Sequence, residues 1–492
     1  TLDRETDAIE RRDSTYVWRM PEKPCRRIET GHGKTVEASL DTPVLTCGAY
    51  GIEWTPVSAV EPGDYVAVPR YDETTVDRQE ISVREYLELT NETVRLDNES
   101  VAFVRRRLRE KYGTLSDAAA ALDFTEDFVY DTLPNRYVPL EKVDVVLDGL
   151  GMTRADIGFE RLMLRHEDSI TLPETFDEDL SYLLGLVFGD GDISLDRRDG
   201  SRGTVQITND DESVLRRAAD VFAAQFDRHV EIERRETRAP CIRVTNATIA
   251  RIFANAGMQS PNADLQLDPP LTTAAHADAF LRGLMDADGS VSNRERGGPS
   301  IHLSTISEDL ARQVQLMLET YGVRARTRER DRRGTSEPAD GQTTESNHVQ
   351  HFVEIYGADV DRYAERIGFE VKAKRAALRS IASDGGWRGD TLSVGAALAQ
   401  DGGPSGAYDQ NIYRGDNPGG GRARAMLDDH ELDLGPAEPV VGTAVEADLR
   451  CDEVVATTDM GEKEVFDLTI PGTHNFVGNG VVTHNTAAAV RD

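Results

Sequence analysis

The chain has 492 residues, enough for roughly two to four domains with sizeable hydrophobic cores. Its net charge is −32, and its basic residues are seven lysines and 49 arginines, a balance typical of a salt-adapted, halophilic surface. Regular apolar periodicity excludes an acidic disordered chain. The polar N-terminus argues against a signal peptide, and without a run of about 18 apolar residues no membrane span is expected.

Four cysteines are present without a CxxC pair, namely Cys25, Cys47, Cys241 and Cys451. Their scatter predicts neither a zinc site nor a disulfide framework, and therefore a reducing, cytoplasmic location. The acidic total does not exclude DNA binding, because salt screens the repulsion and arginines can be grouped locally.

Residues 1–75 are predicted to form short β-strands joined by turns. Alternating residues indicate strands at 25–30 and 35–39, on either side of a Gly-His-Gly turn centred on His32. Further strand patterns lie at 43–46, 54–57 and 61–68. The link after the second strand reads Ser39-Leu40-Asp41-Thr42-Pro43, and the hydroxyls of Ser39 and Thr42 make them candidate site residues.

Residues 80–170 change to a helical pattern. Helices are predicted at 100–108, 112–122 and 126–133 and from 138 to near Gly151, with Thr114 or Ser116 as a cap. The second and third of these resemble a helix-turn-helix, and arginines precede them. Acidic residues open the third helix and suit phosphate contact poorly. Two interpretations therefore stay open, a DNA-binding helix-turn-helix and a helical insert without DNA contact.

Two matching nonamers lie within residues 175–380, and both read as helices that end in Asp-Gly: 183–191 (LLGLVFGDG) and 281–289 (LRGLMDADG). The segments that follow them also match, because 242–251 aligns without gaps to 353–362. This is an internal repeat of about 100 residues. Each copy is predicted as helix, strand, strand, helix, strand, strand, helix.

This segment resembles the LAGLIDADG homing endonucleases, whose signature is the nonamer pair. The resemblance implies an α/β fold with two pseudo-symmetric αββαββα repeats, in which the two signature helices pack closely. Small residues allow that approach, at Gly185, Gly189, Gly283 and Ala287. Asp190 and Asp288 would then converge as metal ligands for Mg²⁺ or Mn²⁺ and catalyse cleavage of a double-stranded DNA target site. The alternative is a pair of core helices with ordinary capping aspartates.

Basic residues bear on whether such a nuclease cuts. Members of the family often carry a lysine near each active centre. The first copy here has no lysine, and Lys372 and Lys374 lie late in the second. Arginine-rich stretches at 234–235 and 324–333 are candidates for the DNA-facing sheets, and a solvated surface is the alternative.

Residues 381–439 are rich in Gly, Asp and Pro and are predicted to be a flexible linker. Strand patterns resume within 440–485 and end on His484, Asn485 and Thr486. The Asn485 carboxamide nitrogen can attack its own main-chain carbonyl, which forms a succinimide and cuts the chain. His484 can act as the neighbouring acid or base, and Thr486 can accept an acyl group.

The run 464–486 resembles the C-terminal splicing motifs of an intein, in which an Asp and a first His precede a terminal His-Asn. Asp467 and His474 hold those upstream positions here. The resemblance implies an all-β Hint splicing domain, split into residues 1–75 and 440–485 by the endonuclease, that needs no cofactor. Insertion at an exposed loop is tolerated because loop-closure entropy grows slowly with length.

The N-terminal part departs from the intein pattern twice. In the family's Thr-x-x-His-Pro stretch, Ser39 keeps the hydroxyl, but Thr42 replaces the His that protonates the departing amide nitrogen. Either His32 substitutes for it or His32 is a solvated turn residue. Thr1 does not open the family's first motif, which begins with a Cys or Ser nucleophile, so we expect that nucleophile upstream of this chain.

Residues 486–492 (TAAAVRD) resemble a stretch of archaeal minichromosome maintenance (MCM) helicases, which would make them the start of a C-extein in a replicative, ATP-dependent DNA helicase host. The sequence therefore predicts an intein that carries a homing endonuclease. One alternative is a degenerate element that neither splices nor cuts, which Thr42 and the lysine-free first copy favour. Another is that the function belongs to the host helicase.

Overall fold

The computed structural model describes the following residues: 1–48, 51–71, 76–87, 92–163, 169–196, 202–235, 238–258, 262–294, 298–331, 333–336, 344–382, 420–429, 434, 438, 441–442, 445 and 448–485. Thr486 and the rest of the predicted C-extein lie outside them, as does most of the predicted linker. Where that linker is described, it contains a helix at Gly420–Asp428.

The strands of the described chain are β1 Leu2–Asp3, β2 Ala8–Ile9, β3 Tyr16–Thr30, β4 Thr35–Ser39, β5 Pro43–Gly48, β6 Gly51–Pro56, β7 Tyr65–Pro69, β8 Thr93–Leu96, β9 Val138–Pro139, β10 Phe159–Met163, β11 Gly191–Leu195, β12 Gly203–Thr208, β13 Glu233–Arg235, β14 Arg238–Thr245, β15 Gly289–Arg294, β16 Gly298–Thr305, β17 Arg326–Asp331, β18 Gly334–Ser336, β19 Thr344–Ser346, β20 Val349–Tyr356, β21 Leu449–Thr469, β22 Asn475–Gly478 and β23 Val481–His484.

The α-helices of the described chain are α1 Asn98–Tyr112, α2 Leu115–Ala121, α3 Leu133–Asn135, α4 Leu140–Leu150, α5 Glu178–Asp190, α6 Glu212–Phe226, α7 Ala247–Asn255, α8 Pro269–Thr272, α9 Ala277–Asp288, α10 Glu308–Glu319, α11 Ala358–Arg366, α12 Lys372–Ala382 and α13 Gly420–Asp428. None of the helices in this described part has the length and apolar character needed to span a bilayer.

The chain forms two compact units. The first comprises Thr1–Asp77, Val291–Arg366 and Ala376–Asp492, and the second comprises Arg78–Ser290 and Ile367–Arg375. The boundary falls inside the predicted nuclease segment, because most of its second half belongs to the first unit.

One large sheet organises the first unit. Its strand order is β22-β23-β5-β7-β21-β3-β4, with β6 paired to the free side of β5. Strands from both ends of the chain therefore share it. The long strand β21 pairs with β7 along its first residues and with β3 along the rest. Buried branched residues form the core beneath it, including Ile28, Val36, Val44, Val66, Val454 and Val481.

The expectation of no disulfide is wrong for one cysteine pair. Cys47 and Cys451 are bonded, with their Cα atoms 6.1 Å apart despite a sequence separation of 404 residues. Both flank β7, because β5 pairs with it at Thr46 and β21 pairs with it at Cys451. Sequence spacing does not reveal such a pair, since the sheet topology alone brings the two strands together. Cys25 and Cys241 are buried free thiols.

The two halves of the nuclease segment have the same strand order. The first half forms a sheet β11-β12-β14-β13, and the second forms β15-β16-β20-β17. The gapless alignment agrees with the element ends. A single residue separates β14 from α7, and a single residue likewise separates β20 from α11. The second half adds the hairpin β18–β19.

The insert at 80–170 contains the predicted helices, and Thr114 caps α2 by accepting a hydrogen bond from the Asp117 amide. Two features differ from the prediction. Residues Phe128–Thr132 form a π-helical turn, and a three-stranded sheet β10-β8-β9 accompanies the helices. These strands have five residues or fewer, too short for a clear alternating pattern.

Candidate functional site

A cavity of about 650 Å³ lies in the first unit, against the strand that carries His484. Its lining includes four of the predicted site residues, Ser39, Thr42, Asp467 and His484. Ser39 ends β4 and is paired with Cys25 of β3, and the tight turn that follows brings Thr42 back to it. The Ser39 and Thr42 hydroxyl oxygens are 2.7 Å apart and buried.

Asn485 follows directly after β23. Its main-chain amide donates to the His474 carbonyl at 3.0 Å, which fixes the backbone. Its side chain is buried, with 4% of the residue exposed. Neither carboxamide atom has a hydrogen-bond partner among the described residues. A buried amide without partners is costly, so hydrogen bonding within the described residues does not account for the burial of this group.

His484 contacts the carbonyl that the predicted reaction attacks. Its Nδ1 lies 2.6 Å from the Asn485 main-chain oxygen. In the tautomer with hydrogen on Nδ1, His484 donates to this oxygen and polarises the carbonyl carbon. The ring is also held edge-on to Trp54, with centroids 4.9 Å apart.

Asp467 and His474 occupy different positions around this centre. Asp467 is buried, lines the cavity and accepts from the Leu468 amide at 2.8 Å. His474 is exposed and adopts a φ of 54°. It contributes through its backbone, by accepting from Asn485, and its side chain does not line the cavity.

His32 does not lie at this cavity. Its Nδ1 lies 2.6 Å from the carboxylate of the buried Asp452. His32 therefore does not replace the missing His at Thr42, and its side chain is 32% exposed and paired with a carboxylate. The turn that carries it contacts α10 and β17 instead.

Sequence reasoning missed Asn475, which is fully buried on the strand next to His484. Its side chain bonds both backbone groups of Leu2, accepting from the amide at 2.7 Å and donating to the carbonyl at 2.8 Å. Asn475 is the strand partner of His484. Leu2 is therefore held next to the strand pair that presents Asn485. No local sequence signal marks Asn475, because its burial and its partners are decided by the topology.

The second unit contains the crossing of α5 and α9. A Cβ at Gly185 would lie 2.1 Å from the Phe280 carbonyl oxygen, and one at Gly283 would lie 2.1 Å from that of Tyr182. A Cβ at Gly189 would lie 2.4 Å from that of Ala287. These distances confirm the backbone-to-backbone approach expected at these residues, since only glycine allows it.

Asp190 and Asp288 end these two helices. Desolvation, together with the negative charge of Asp190, raises the pKa of Asp288 to about 6, although Lys374 opposes the shift. Desolvation also raises the pKa of Asp190, although a hydrogen bond from Asn209 and the charge of Lys374 oppose it. Asn209 Nδ2 donates to Asp190 at 2.6 Å, a contact that the local sequence pattern did not predict.

Lys374 serves both acids from the second unit. Its ammonium group donates to the carbonyls of Met285, Asp286 and Ala287 at 3.1, 2.6 and 3.0 Å. It therefore caps the C-terminal end of α9, where Asp288 lies. Desolvation lowers the pKa of Lys374, although the surrounding carboxylates oppose this. The lysine-free first half is therefore compensated in part by one lysine from the end of the second.

Asp286 delivers Lys374 to this position. It is buried and accepts from the amides of Glu370 and Val371 at 2.9 and 3.1 Å and from the Tyr182 hydroxyl at 3.0 Å. It thereby holds the segment that begins α12 against α9. The matching residue of the first nonamer, Phe188, packs edge-on against Phe280 instead. This difference gives only the second helix a docked lysine.

The oxygen donors near Asp190 are of the kind that a hard divalent cation prefers. A cavity of about 390 Å³ beside Asp190 is lined by Asp190, Asn209, Asp210 and Lys374 among others, and Asp288 is not part of its lining. The negative charge of Asp190 contributes, after desolvation, to the raised pKa of Asp288, and carboxylate oxygens are donors that suit Mg²⁺ or Mn²⁺. No group of three or more His, Cys, Asp or Glu residues in the described part of the chain could hold a metal alone. Water and phosphate oxygens would have to complete the coordination.

Comparison with known proteins identifies one region by family. Residues 275–368 match the model of a LAGLIDADG-like domain. The replicative DNA helicase DnaB of Rhodothermus marinus is 31% identical over 236 residues, which cover 42% of this chain and 23% of the relative. Elongation factor 2 of Methanopyrus kandleri is 24% identical over 350 residues, covering 67% and 26%. The chain thus spans only a minor part of the relatives it matches.

Two solved structures are similar over part of the chain. The homing endonuclease I-DmoI in complex with DNA and Ca is 18% identical, with a TM-score of 0.28, and the match covers 41% of this chain and 97% of that one. Full-length DUF199/WhiA from Thermatoga maritima is 18% identical, with a TM-score of 0.26 and coverage of 41% and 60%. The chain contains a LAGLIDADG-like domain at residues 275–368.

Proposed function

We propose that this chain is an intein that cuts itself after Asn485 and carries a LAGLIDADG homing endonuclease. The observation that carries the proposal is the geometry at Asn485. Its buried carboxamide has no partner among the described residues, and His484 Nδ1 lies 2.6 Å from its main-chain oxygen. A buried, unpartnered nucleophile beside a polarised carbonyl is a reactive arrangement that a purely structural turn would not need.

The relatives support an inserted element. Similar segments occur in a DnaB helicase, an elongation factor 2 and a replication factor C small subunit, and cover 23%, 26% and 11% of those proteins. Similarity to parts of proteins with such different names favours an activity of this chain that is separate from theirs. An intein accounts for a segment of this kind.

The cleavage follows from the residues present. The Asn485 carboxamide nitrogen attacks the Asn485 carbonyl carbon, and a new C–N bond closes the succinimide ring. The peptide C–N bond to Thr486 breaks, and the leaving amine takes up the proton that the carboxamide loses. His484 polarises the carbonyl and can carry that proton. Asp467 and the backbone of His474 position this centre.

Ser39 and Thr42 belong to the earlier step of splicing, at the N-terminal junction. Their hydroxyls contact each other at 2.7 Å within the cavity, and Thr42 lacks a group that protonates a leaving amide at neutral pH. We therefore propose that cleavage after Asn485 is retained and does not require the N-terminal step. Thr486 would accept the acyl group in complete splicing.

The nuclease is proposed to use Asp190 and Asp288 in two pseudo-symmetric halves. These carboxylates would hold Mg²⁺ or Mn²⁺, which supplies Lewis-acid activation of water and stabilises the leaving 3′ oxygen. Lys374 keeps the end of α9 and its carboxylate in place and offsets negative charge there. Asn209 orients Asp190.

The sheets offer polar faces for DNA. In the first half the outward residues Gln206 and Arg243 face each other across β12 and β14 and bond at 2.6 Å, while their neighbours Val205 and Val244 are buried. In the second half β17 presents exposed arginines, namely Arg326, Arg328 and Arg330. Such side chains supply contacts to phosphates and base edges.

The protein that would host this intein is also a proposal. The seven residues from Thr486 onward favour an MCM helicase, whereas the relatives include DnaB helicases rather than MCM. Both are replication helicases by name, and the splicing and cutting chemistry does not depend on the choice.

The nuclease is tested with purified full chain, Mg²⁺ and plasmids that carry the uninterrupted host gene at the insertion site. We expect a double-strand cut, lost in Asp190→Asn and Asp288→Asn. Asp220→Asn, on the exposed side of α6, is the matched control and should cut as wild type does. If both active-site variants still cut at the wild-type rate, these acids are not the catalytic pair.

A further inference from the structure

Helix α10 belongs to the LAGLIDADG-like region by sequence, yet it packs in the first unit beside the cavity of the cleavage site. It holds the turn between β3 and β4. Gln315 Nε2 donates to the His32 carbonyl at 2.8 Å and to the Ala325 carbonyl at 3.0 Å. The Thr327 amide donates to the same His32 oxygen at 2.9 Å. The turn is thus hydrogen-bonded to both α10 and β17.

The turn can come this close only because it contains Gly33. Gly33 has a φ of +77°, and a Cβ there would lie 2.2 Å from Thr327 Oγ1 and 2.3 Å from the Thr327 carbonyl oxygen. Thr327 Oγ1 in turn donates to the Gly33 carbonyl at 2.9 Å. The sequence of the β3–β4 turn is therefore adapted to this contact.

A buried ion pair joins the same elements. Lys34 Nζ lies 2.5 Å from Glu319 Oε2 at the end of α10, and the two side chains are 3% and 7% exposed. Charges so deeply buried are stable only when paired. The pair therefore fixes the end of α10 relative to β4, the strand that ends at Ser39.

Lys34 also lies beneath the hairpin that carries His484. A Cβ at Gly480 would lie 2.7 Å from Lys34 Nζ and 3.2 Å from Leu316 Cδ2 of α10. Asn479 and Gly480 have φ values of 48° and 79°, as a two-residue hairpin turn between β22 and β23 requires. Lys34 and Leu316 thus support the turn from below.

Arg312 extends this contact into the cavity. It lies on α10, is paired with Glu308 one turn earlier, and lines the cavity together with Ser39, Asp467 and His484. Its side chain is 32% exposed, so it contributes little to the buried core.

We propose that α10 forms part of the self-cleavage site and supports its geometry. Arg312 is a positioning residue, and the Lys34–Glu319 pair holds α10 in place. The nuclease region would then be required for efficient cleavage after Asn485 and would not be a passive insertion. This inference rests on the proposed function.

The test uses the full chain fused to a reporter after Thr486, with cleavage followed over time. Arg312→Ala should slow cleavage about fivefold, because it removes a positive charge from the lining of the cavity that contains His484. Arg312→Lys should restore the rate to within about twofold because the positive charge is kept. The matched control is Arg216→Ala, since Arg216 pairs with Glu212 on α6 as Arg312 pairs with Glu308 on α10. Its rate should equal that of wild type.

Thermal unfolding of each variant is recorded alongside, because a merely structural role would slow Arg312→Ala only through lost stability. Equal rates for wild type, Arg312→Ala and Arg216→Ala would overturn the inference. If the wild-type fusion does not cleave at all, the proposed function fails instead. Amide hydrogen exchange of the β22–β23 turn then tests whether α10 supports this turn. Glu319→Gln should speed exchange there, and unchanged exchange would overturn the role of α10 as a support.

Discussion

Replacing Gly185 by alanine tests the close approach of the two signature helices. The added Cβ would lie 2.1 Å from the Phe280 carbonyl oxygen and 2.7 Å from the Leu284 nitrogen. Both are backbone atoms, so no side chain can rotate away to relieve the contact. The only relief is a shift of α5 relative to α9, and this shift would also move Asp190 relative to Asp288.

The magnitude follows from two opposing effects. Overpacking a tight contact costs about 1–3 kcal/mol, whereas alanine gains about 1 kcal/mol over glycine in a helix. Because the contact here is with backbone, we expect the upper part of the cost and a net loss of about 2 kcal/mol. For a unit of roughly 200 residues this lowers the midpoint of thermal unfolding by about 4–8 °C. A displacement of the acids by about 1 Å would lower the cleavage rate by as much as about 100-fold.

The assay combines thermal unfolding with cleavage of plasmid DNA. Gly48→Ala is the matched control, because the nearest atom to a Cβ at Gly48 is an ordinary 3.7 Å away. It should leave both the midpoint and the cleavage rate unchanged. A Gly185→Ala protein as stable and as active as wild type would show that the helices do not need this contact.

Three further outcomes are expected. Lys34→Met should destabilise the first unit by about 3–5 kcal/mol, because Glu319 would stay buried without its partner, and Lys34→Met with Glu319→Met should recover most of the loss in a denaturant titration. The raised pKa of Asp288 means that its contribution to stability is present below about pH 4 and is lost as pH rises through about 6, so added Mg²⁺ should raise the unfolding midpoint more at about pH 8 than at about pH 5. Asp288→Asn should remove that pH difference in the Mg²⁺ effect, and a difference that persists would place the metal elsewhere.

The local pattern was sufficient for much of the secondary structure. The alternation of 25–30 and 35–39 predicted the last part of β3 and all of β4, and the nonamers predicted the ends of α5 and α9 at Asp190 and Asp288. The small residues at Gly185, Gly189 and Gly283 were expected at a close crossing and are found there, because only backbone contact explains matched glycines inside helices.

Long-range contacts were not predictable in this way. The Cys47–Cys451 bond depends on a shared neighbour strand, and Lys34–Glu319 joins residues 285 positions apart. The buried carboxylate of Asp286 anchors the segment that brings Lys374 to the acids, a contact between residues 84 positions apart. Local periodicity contains no information on which distant polar groups meet, since that is decided by topology and by the need to pair buried charges.

The central claim is tested most directly by the mass of the products from a full-length fusion with a reporter after Thr486. Asn cyclisation predicts a reporter that starts at Thr486 and an N-terminal fragment whose initial mass is one water lighter than the hydrolysed chain ending in Asn485. Asn485→Ala should abolish release, whereas Asn293→Ala, at an exposed position on β15, should release as wild type does. Equal release by wild type and Asn485→Ala, or a fragment formed only by hydrolysis, would contradict the proposed self-cleavage.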